Sequence, residues 1–156
     1  MRRLLALLIL AFGLAASAAP AVAADPAPPV NADAQGLAIR GYDPTAYFTA
    51  GRAVQGVPEH EYRWNGATWR FASAEARARF VADPEAYAPA FGGYCAWAIS
   101  QNYIAPGDPN FWRIVDGRVY LNFNARAKEL WEMDVPGAIA RGNANWPSVL
   151  STAENR

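Results

Sequence analysis

Between His60 and Phe71 apolar and polar side chains alternate with a period of two, and the alternation is interrupted once, at Asn65-Gly66. Both positions of a two-residue hairpin turn need positive φ, and Asn-Gly accepts it most readily. The turn predicts an antiparallel pair with Trp64 opposite Ala67, Arg63 opposite Thr68, Tyr62 opposite Trp69, Glu61 opposite Arg70 and His60 opposite Phe71. Successive side chains of a strand point to opposite faces. One face therefore carries His60, Tyr62, Trp64, Ala67, Trp69 and Phe71, and the other Glu61, Arg63, Thr68 and Arg70. The aromatic face needs a cover. Ser73 is a good N-cap, and Ala74 to Ala82 follows without Gly or Pro, which predicts a helix directly after the hairpin. Asp83-Pro84 ends it and starts a short one.

The same order recurs downstream. Phe111 to Val115, the turn Asp116-Gly117 and Arg118 to Phe123 predict a second hairpin, with Trp112, Ile114, Val119, Leu121 and Phe123 sharing a face. Asn124 caps a helix over Ala125 to Trp131. Trp64–Phe80 and Val115–Trp131 align as two ββα units 51 residues apart, although their facing residues do not stay in phase.

Around these units the signals are shorter. Gly36 to Arg40 reads as an extended stretch. Gly41-Tyr42-Asp43-Pro44 reads as a turn opening a helix over Thr45 to Thr49, ended by Gly51. Val54 to Val57 reads as an edge strand. Gly92-Gly93 permits positive φ, and the apolar run Tyr94 to Ser100 reads as a short buried helix. Ala105 to Asn110 reads as a loop, and Val135 to Arg141 as a helix ended by Gly142. Trp146-Pro147 pins the C-terminus. The fold class expected is α+β: two short antiparallel hairpins, each followed by a helix, with further short helices around one aromatic-rich core.

The N-terminus changes the boundaries. Arg2-Arg3, the apolar run Leu4 to Leu14 and the Ala21-Val22-Ala23 site form a bacterial-type signal peptide over residues 1–23. Ordinary secretion suits it better than a twin-arginine route, which places the protein in the periplasm or outside the cell. A disordered leader is expected over 24–35, a single domain over 36–150 and a frayed end over 151–156. Removing 23 of the 156 residues leaves 133, enough for one core. Removing Arg2 and Arg3 from 14 basic residues leaves 12 against 14 acidic, a net charge of −2. That balance gives no footprint for nucleic acid, and no membrane span is expected after cleavage. All six tryptophans fall after the signal peptide and imply a core built from them.

Tyr62, Asn65-Gly66, Trp69, Phe71-Ala72-Ser73, Phe80 and Asp83-Pro84-Glu85-Ala86-Tyr87 resemble the YHS domain, a small ββα module associated with metals. Gly41-Tyr42-Asp43-Pro44, Phe91 to Ser100, Ile114-Val115-Asp116-Gly117 and Asn145-Trp146-Pro147 are similar to a secreted branch of that family. The resemblance covers about 110 residues and implies membership, a ββα scaffold and an association with metal. It carries no assigned activity for the branch. Metal-binding relatives have cysteines at the positions of Ala72 and Ala76, so the family's thiolate set is missing.

The remaining chemistry is sparse. Cys95 is the sole cysteine, which excludes an internal disulfide. In an exported protein a lone thiol is a buried small hydrophobe, a metal ligand or a reactive group. His60 is the sole histidine, at the hairpin end, where it is a metal ligand or a hydrogen-bonded residue of the core edge. Cys95 and His60 are the candidate ligands of a copper or zinc site, with oxygens available from Asp43, Glu59 or Glu61. The same two residues form the one Cys–His pair for nucleophilic catalysis, but no flanking motif accompanies it. There is no Walker loop, dinucleotide fingerprint, H-E-x-x-H or haem-attachment motif. Met133 reads as a helix-end filler. Three readings follow: a secreted metal-binding protein using Cys95 and His60, a metal-free module for a protein partner, and a thiol-based redox protein.

Overall fold

The computed structural model describes residues 27–152. Among these residues the chain forms seven helices and two antiparallel two-stranded sheets, an α+β fold. The order is α1 (Ala46–Thr49), β1 (Val57–Trp64), β2 (Ala67–Phe71), α2 (Ala74–Ala82), α3 (Pro84–Tyr87), α4 (Ala96–Ser100), β3 (Asp108–Val115), β4 (Arg118–Asn122), α5 (Ala125–Glu132), α6 (Val135–Asn145) and α7 (Ser148–Thr152). The signal peptide expected over 1–23 lies outside the described residues.

Local chemistry sets most boundaries. Asn65 and Gly66 take φ of 49° and 80°, and Asp116 and Gly117 take 49° and 75°, the left-handed pairs that two-residue hairpins need. The Ser73 hydroxyl accepts from Ala76 N at 3.1 Å, and Asn124 Oδ1 accepts from Ala127 N at 2.8 Å. Asp83 and Asp134 cap α3 and α6 by accepting from Ala86 N and Gly137 N. Each cap satisfies a peptide N–H that has no partner within its helix.

The two ββα units are one geometry used twice. β1 pairs with β2 through Glu61–Arg70, Tyr62–Trp69, Arg63–Thr68 and Trp64–Ala67, then shifts register so that Val57 lies opposite Phe71. β3 pairs with β4 through Trp112–Leu121 to Val115–Arg118, with the same shift to Asp108 opposite Asn122. The expected His60–Phe71 pair is thereby corrected: a bulge takes up His60 and its neighbours. Trp69 stacks on Phe80 at 5.0 Å and 33°, and Tyr120 stacks on Trp131 at 5.3 Å and 31°. Positions 51 residues apart do stay in phase.

The phase is hidden in the sequence because β4 is buried on both faces. Where β2 has Thr68 and Arg70, β4 has Val119 and Leu121. These two join the first apolar cluster, with Val30, Ile39, Tyr47, Trp69, Phe71 and Phe80. Tyr120 faces the other way, into a second cluster with Phe91, Tyr94, Ile99, Trp131, Ala138 and Val149. β4 is the wall between the clusters, covered by the first unit on one side and by α4, α5 and α6 on the other. Phe123, expected on the apolar face, is 48% exposed and corrects that assignment.

Three further expectations are corrected. The leader expected over 24–35 is ordered from Ala27: Val30 is 2% exposed, and Asn31 N donates to Gly92 O at 2.8 Å. Burying Val30 against the first cluster offsets the entropy cost of fixing this strand-like segment. Gly142 does not end α6, which continues to Asn145. A Cβ at 142 would lie 2.6 Å from Phe91 Cζ, so glycine there serves helix packing. α7 extends the chain through 151 and 152, where a frayed end was expected. The stretch 36–40, expected to be extended, makes single bridges from Leu37 and Ala38 and turns into a 3-10 helix over Ile39–Gly41; in 54–57 Gln55 makes a single bridge and Val57 opens β1.

Candidate functional site

Cys95 stands immediately before α4, as its N-cap, and bridges to Leu121 of β4. It is 1% exposed and packs with Ala98 and Ala127, with Trp97 and Ala105 beside them. Its thiol donates to Asn122 Oδ1 at 3.8 Å. Burial pushes the thiol above its ordinary pKa, while the peptide N–H groups of Ala98, Phe123 and Trp97 act in the opposite direction by favouring the anion. Burial is the larger effect, so the resting group at neutral pH is the protonated thiol.

Beside the sulfur lies a cavity of about 350 Å³ lined by Cys95, Trp97, Tyr103, Phe123, Ala127 and Leu130, among others. α4 and α5 form its walls and the turn after α4 part of its rim. Tyr103 and Phe123 are 37% and 48% exposed at this site. Arg126 also lines it and is paired with Glu129 at 3.4 Å. The cavity is apolar inside, with a thiol at one wall and two rings reaching into water.

The repeat supplies a second view of Cys95. Gly41-Tyr42-Asp43 and Gly93-Tyr94-Cys95 occupy equivalent places before α1 and α4. Asp43 N donates to Val54 O at 2.9 Å, and Cys95 N donates to Ala105 O at 2.8 Å. Gly56 N donates to Gly41 O, as Gly107 N does to Gly93 O. Asp43 is also 1% exposed, and its carboxylate accepts from Thr45 N, Thr45 Oγ1 and Ala72 N at 2.8–2.9 Å. Around Cys95 the corresponding peptide N–H groups are those of Trp97 and Phe123. The sulfur therefore sits in a backbone cradle that, in the first half of the fold, holds a carboxylate.

No protein-family model, no curated protein and no solved structure matches this chain.

His60 lies elsewhere. It belongs to the bulged part of β1 and is half-buried, within electrostatic reach of Glu75 at the start of α2. The Glu75 carboxyl is held below its ordinary range by its own peptide N–H first, then by the Ser73 hydroxyl, with His60 a lesser cause. Asp43 is enclosed by its own backbone donors, and Glu61 is committed to Arg70 at 2.7 Å. Among the described residues no three His, Cys, Asp or Glu side chains gather into a group that could hold a metal ion. The side chain that the Cys95 thiol bonds is the Asn122 amide, a poor complement to a thiolate on copper or zinc.

Asn122 is the residue that sequence reasoning missed. It is fully buried, and its Oδ1 also accepts from Trp97 N at 3.1 Å. Its signal was a polar side chain at the place where the first unit has Phe71, in a strand otherwise apolar on both faces.

Proposed function

We propose that this domain is a metal-free interaction module, of YHS type by its sequence resemblance, that takes an apolar side chain of a protein partner into the Cys95 cavity. The observation that carries this reading is the pairing of an apolar cavity with two exposed rings, Tyr103 and Phe123, at its edge. Large rings left in water beside a concave apolar surface regain hydrophobic free energy when covered, and such anchors dominate binding at interfaces. A volume of about 350 Å³ accepts one large side chain with room to adjust. The donor set around Cys95 favours this reading over a copper or zinc site.

The test is a titration with N-acetyl-phenylalanine amide, followed by backbone amide chemical shifts. Saturable shifts confined to Trp97, Tyr103, Phe123, Ala127 and Leu130, and lost in Ala127→Leu, are the expected result. Absence of saturable shifts at these positions rejects it.

The backbone cradle favours a second reading, a thiol-based redox role. There the Cys95 thiol would take oxygen from an apolar hydroperoxide held in the cavity, becoming a sulfenic acid as the peroxide leaves as an alcohol. This reading needs the bound state to reverse the effect of burial on the thiol. Sulfenic acid trapping after exposure to cumene hydroperoxide, compared with Cys95→Ser, decides it; no trapped adduct on Cys95 excludes it.

A further inference from the structure

Away from the Cys95 cavity, two cavities of about 430 and 370 Å³ share Phe91, Arg118 and Trp146 as lining residues. The larger is also walled by Trp64, Trp69 and Leu150, and the smaller by Tyr120 and Asn143. Arg118 is exposed at the first residue of β4 and makes no ion pair with any described residue. The Tyr120 hydroxyl likewise has no hydrogen-bond partner among the described residues. Burial of its ring raises its pKa, so the hydroxyl remains a donor at neutral pH. A guanidinium and a phenol within electrostatic reach of each other therefore line the smaller cavity, with Asp116 also in reach of the phenol, and aromatic faces continue from it into the larger.

We propose that this cleft binds a small molecule with a flat apolar body and a single carboxylate, the carboxylate held by Arg118 and Tyr120 and the body laid against Phe91, Trp146 and Trp64. A guanidinium offers paired N–H groups that match the two oxygens of a carboxylate. The phenol adds a third donor. The flat walls favour an aromatic body, which gains dispersion and hydrophobic free energy over its whole face. Glu85 also lines the larger cavity and is its one acidic side chain. It disfavours a second negative charge on the body, which selects monoanions. Phosphate alone would gain the charge but none of the aromatic contact. The site is separate from the Cys95 cavity and does not depend on what occupies that one.

The experiment is a titration of the protein with 3-phenylpropionate, read by tryptophan fluorescence and calorimetry. The neutral 3-phenylpropanamide and inorganic phosphate serve as controls. Binding of the acid is expected to be at least about tenfold tighter than that of the amide, with no competition by phosphate at equal concentration. Arg118→Gln is expected to weaken the acid at least about tenfold, and Tyr120→Phe several-fold, without affecting the amide. Arg118 is exposed, so its variant should unfold at the same denaturant concentration as the parent. Equal affinity for acid and amide, equal affinity in Arg118→Gln, or no saturable binding of the acid would each overturn the proposal.

Discussion

Tyr120 lies over Trp131 with ring centroids 5.3 Å apart and planes tilted by 31°, and Trp69 lies over Phe80 at 5.0 Å and 33°. Each pair joins the second strand of a hairpin to the helix that follows it. Turn, bulge, cap and stack recur together, so the two halves of the domain are held by the same local device. Phe80 and Trp131 are both fully buried.

Truncating either ring should open a cavity that the rigid hairpin cannot close. Phe80→Ala and Trp131→Ala are each expected to cost about 3–5 kcal/mol of folding stability in urea unfolding. A loss under about 1 kcal/mol in either would show that its stack does not hold hairpin to helix.

Asp43 is buried with three donors on its carboxylate. Asp43→Ala leaves the buried peptide N–H of Thr45 and the part-buried N–H of Ala72 without their acceptor. The expected cost is about 1–3 kcal/mol per orphaned donor, seen as a lower unfolding midpoint. An unchanged midpoint would mean that the cradle is not a stabilising element of the first half.

The Cys95 thiol titrates above its ordinary range because it is buried. The unfolded thiol loses its proton first as pH rises, so the folded state then binds more protons than the unfolded one. Its stabilising effect is complete below the unfolded thiol's pKa, near 8.5, and is lost as pH climbs through the raised folded value. Stability should therefore fall above about pH 8.5 more steeply in the parent than in Cys95→Ala. Alkylation of the folded protein by iodoacetamide should be slow at pH 7.5 and accelerate as pH rises past 9. A rate already at its plateau at pH 7.5 would contradict the dominance of burial.

Gly142 lies inside α6, where a Cβ would come within 2.6 Å of Phe91 Cζ. Alanine is the better helix former by about 1 kcal/mol. Collision with a ring wedged between Tyr120 and Trp146 outweighs that gain. Gly142→Ala is expected to destabilise by about 1–3 kcal/mol in urea unfolding. A gain in stability would show that Phe91 is free to move, and would weaken the case for the cleft it lines.

Much of this fold is legible without coordinates because its signals are local. Asn65-Gly66 and Asp116-Gly117 demand left-handed backbone, Ser73 and Asn124 offer acceptors to the next turn, and Asp83 and Asp134 do the same for α3 and α6. Each of these acts within four residues, so the chain needs no distant partner to express it. The face of the second hairpin was legible only in part. Period-two reasoning assumes one wet face, and β4 has none. The bulge that displaces His60 was not legible, since Glu59, His60 and Glu61 carry no glycine or other mark of it.

The two hairpins, their caps and the α+β class follow from the order of residues alone, because turns and caps are decided by neighbours in the chain. That order also singles out Cys95 and His60, as the sole members of their residue types. Their surroundings come from long-range packing. Cys95 is placed against Asn122 and Ala127 by the packing of α4 and α5 on β4, while His60 is carried toward Glu75 by a bulge. The pairing of Asp43 with Cys95 as equivalent positions, and of Arg118 with Tyr120 at one cleft, likewise depends on how the two halves close over their shared strand. Such contacts join residues far apart in the chain, and a pattern read along the chain has no term for them.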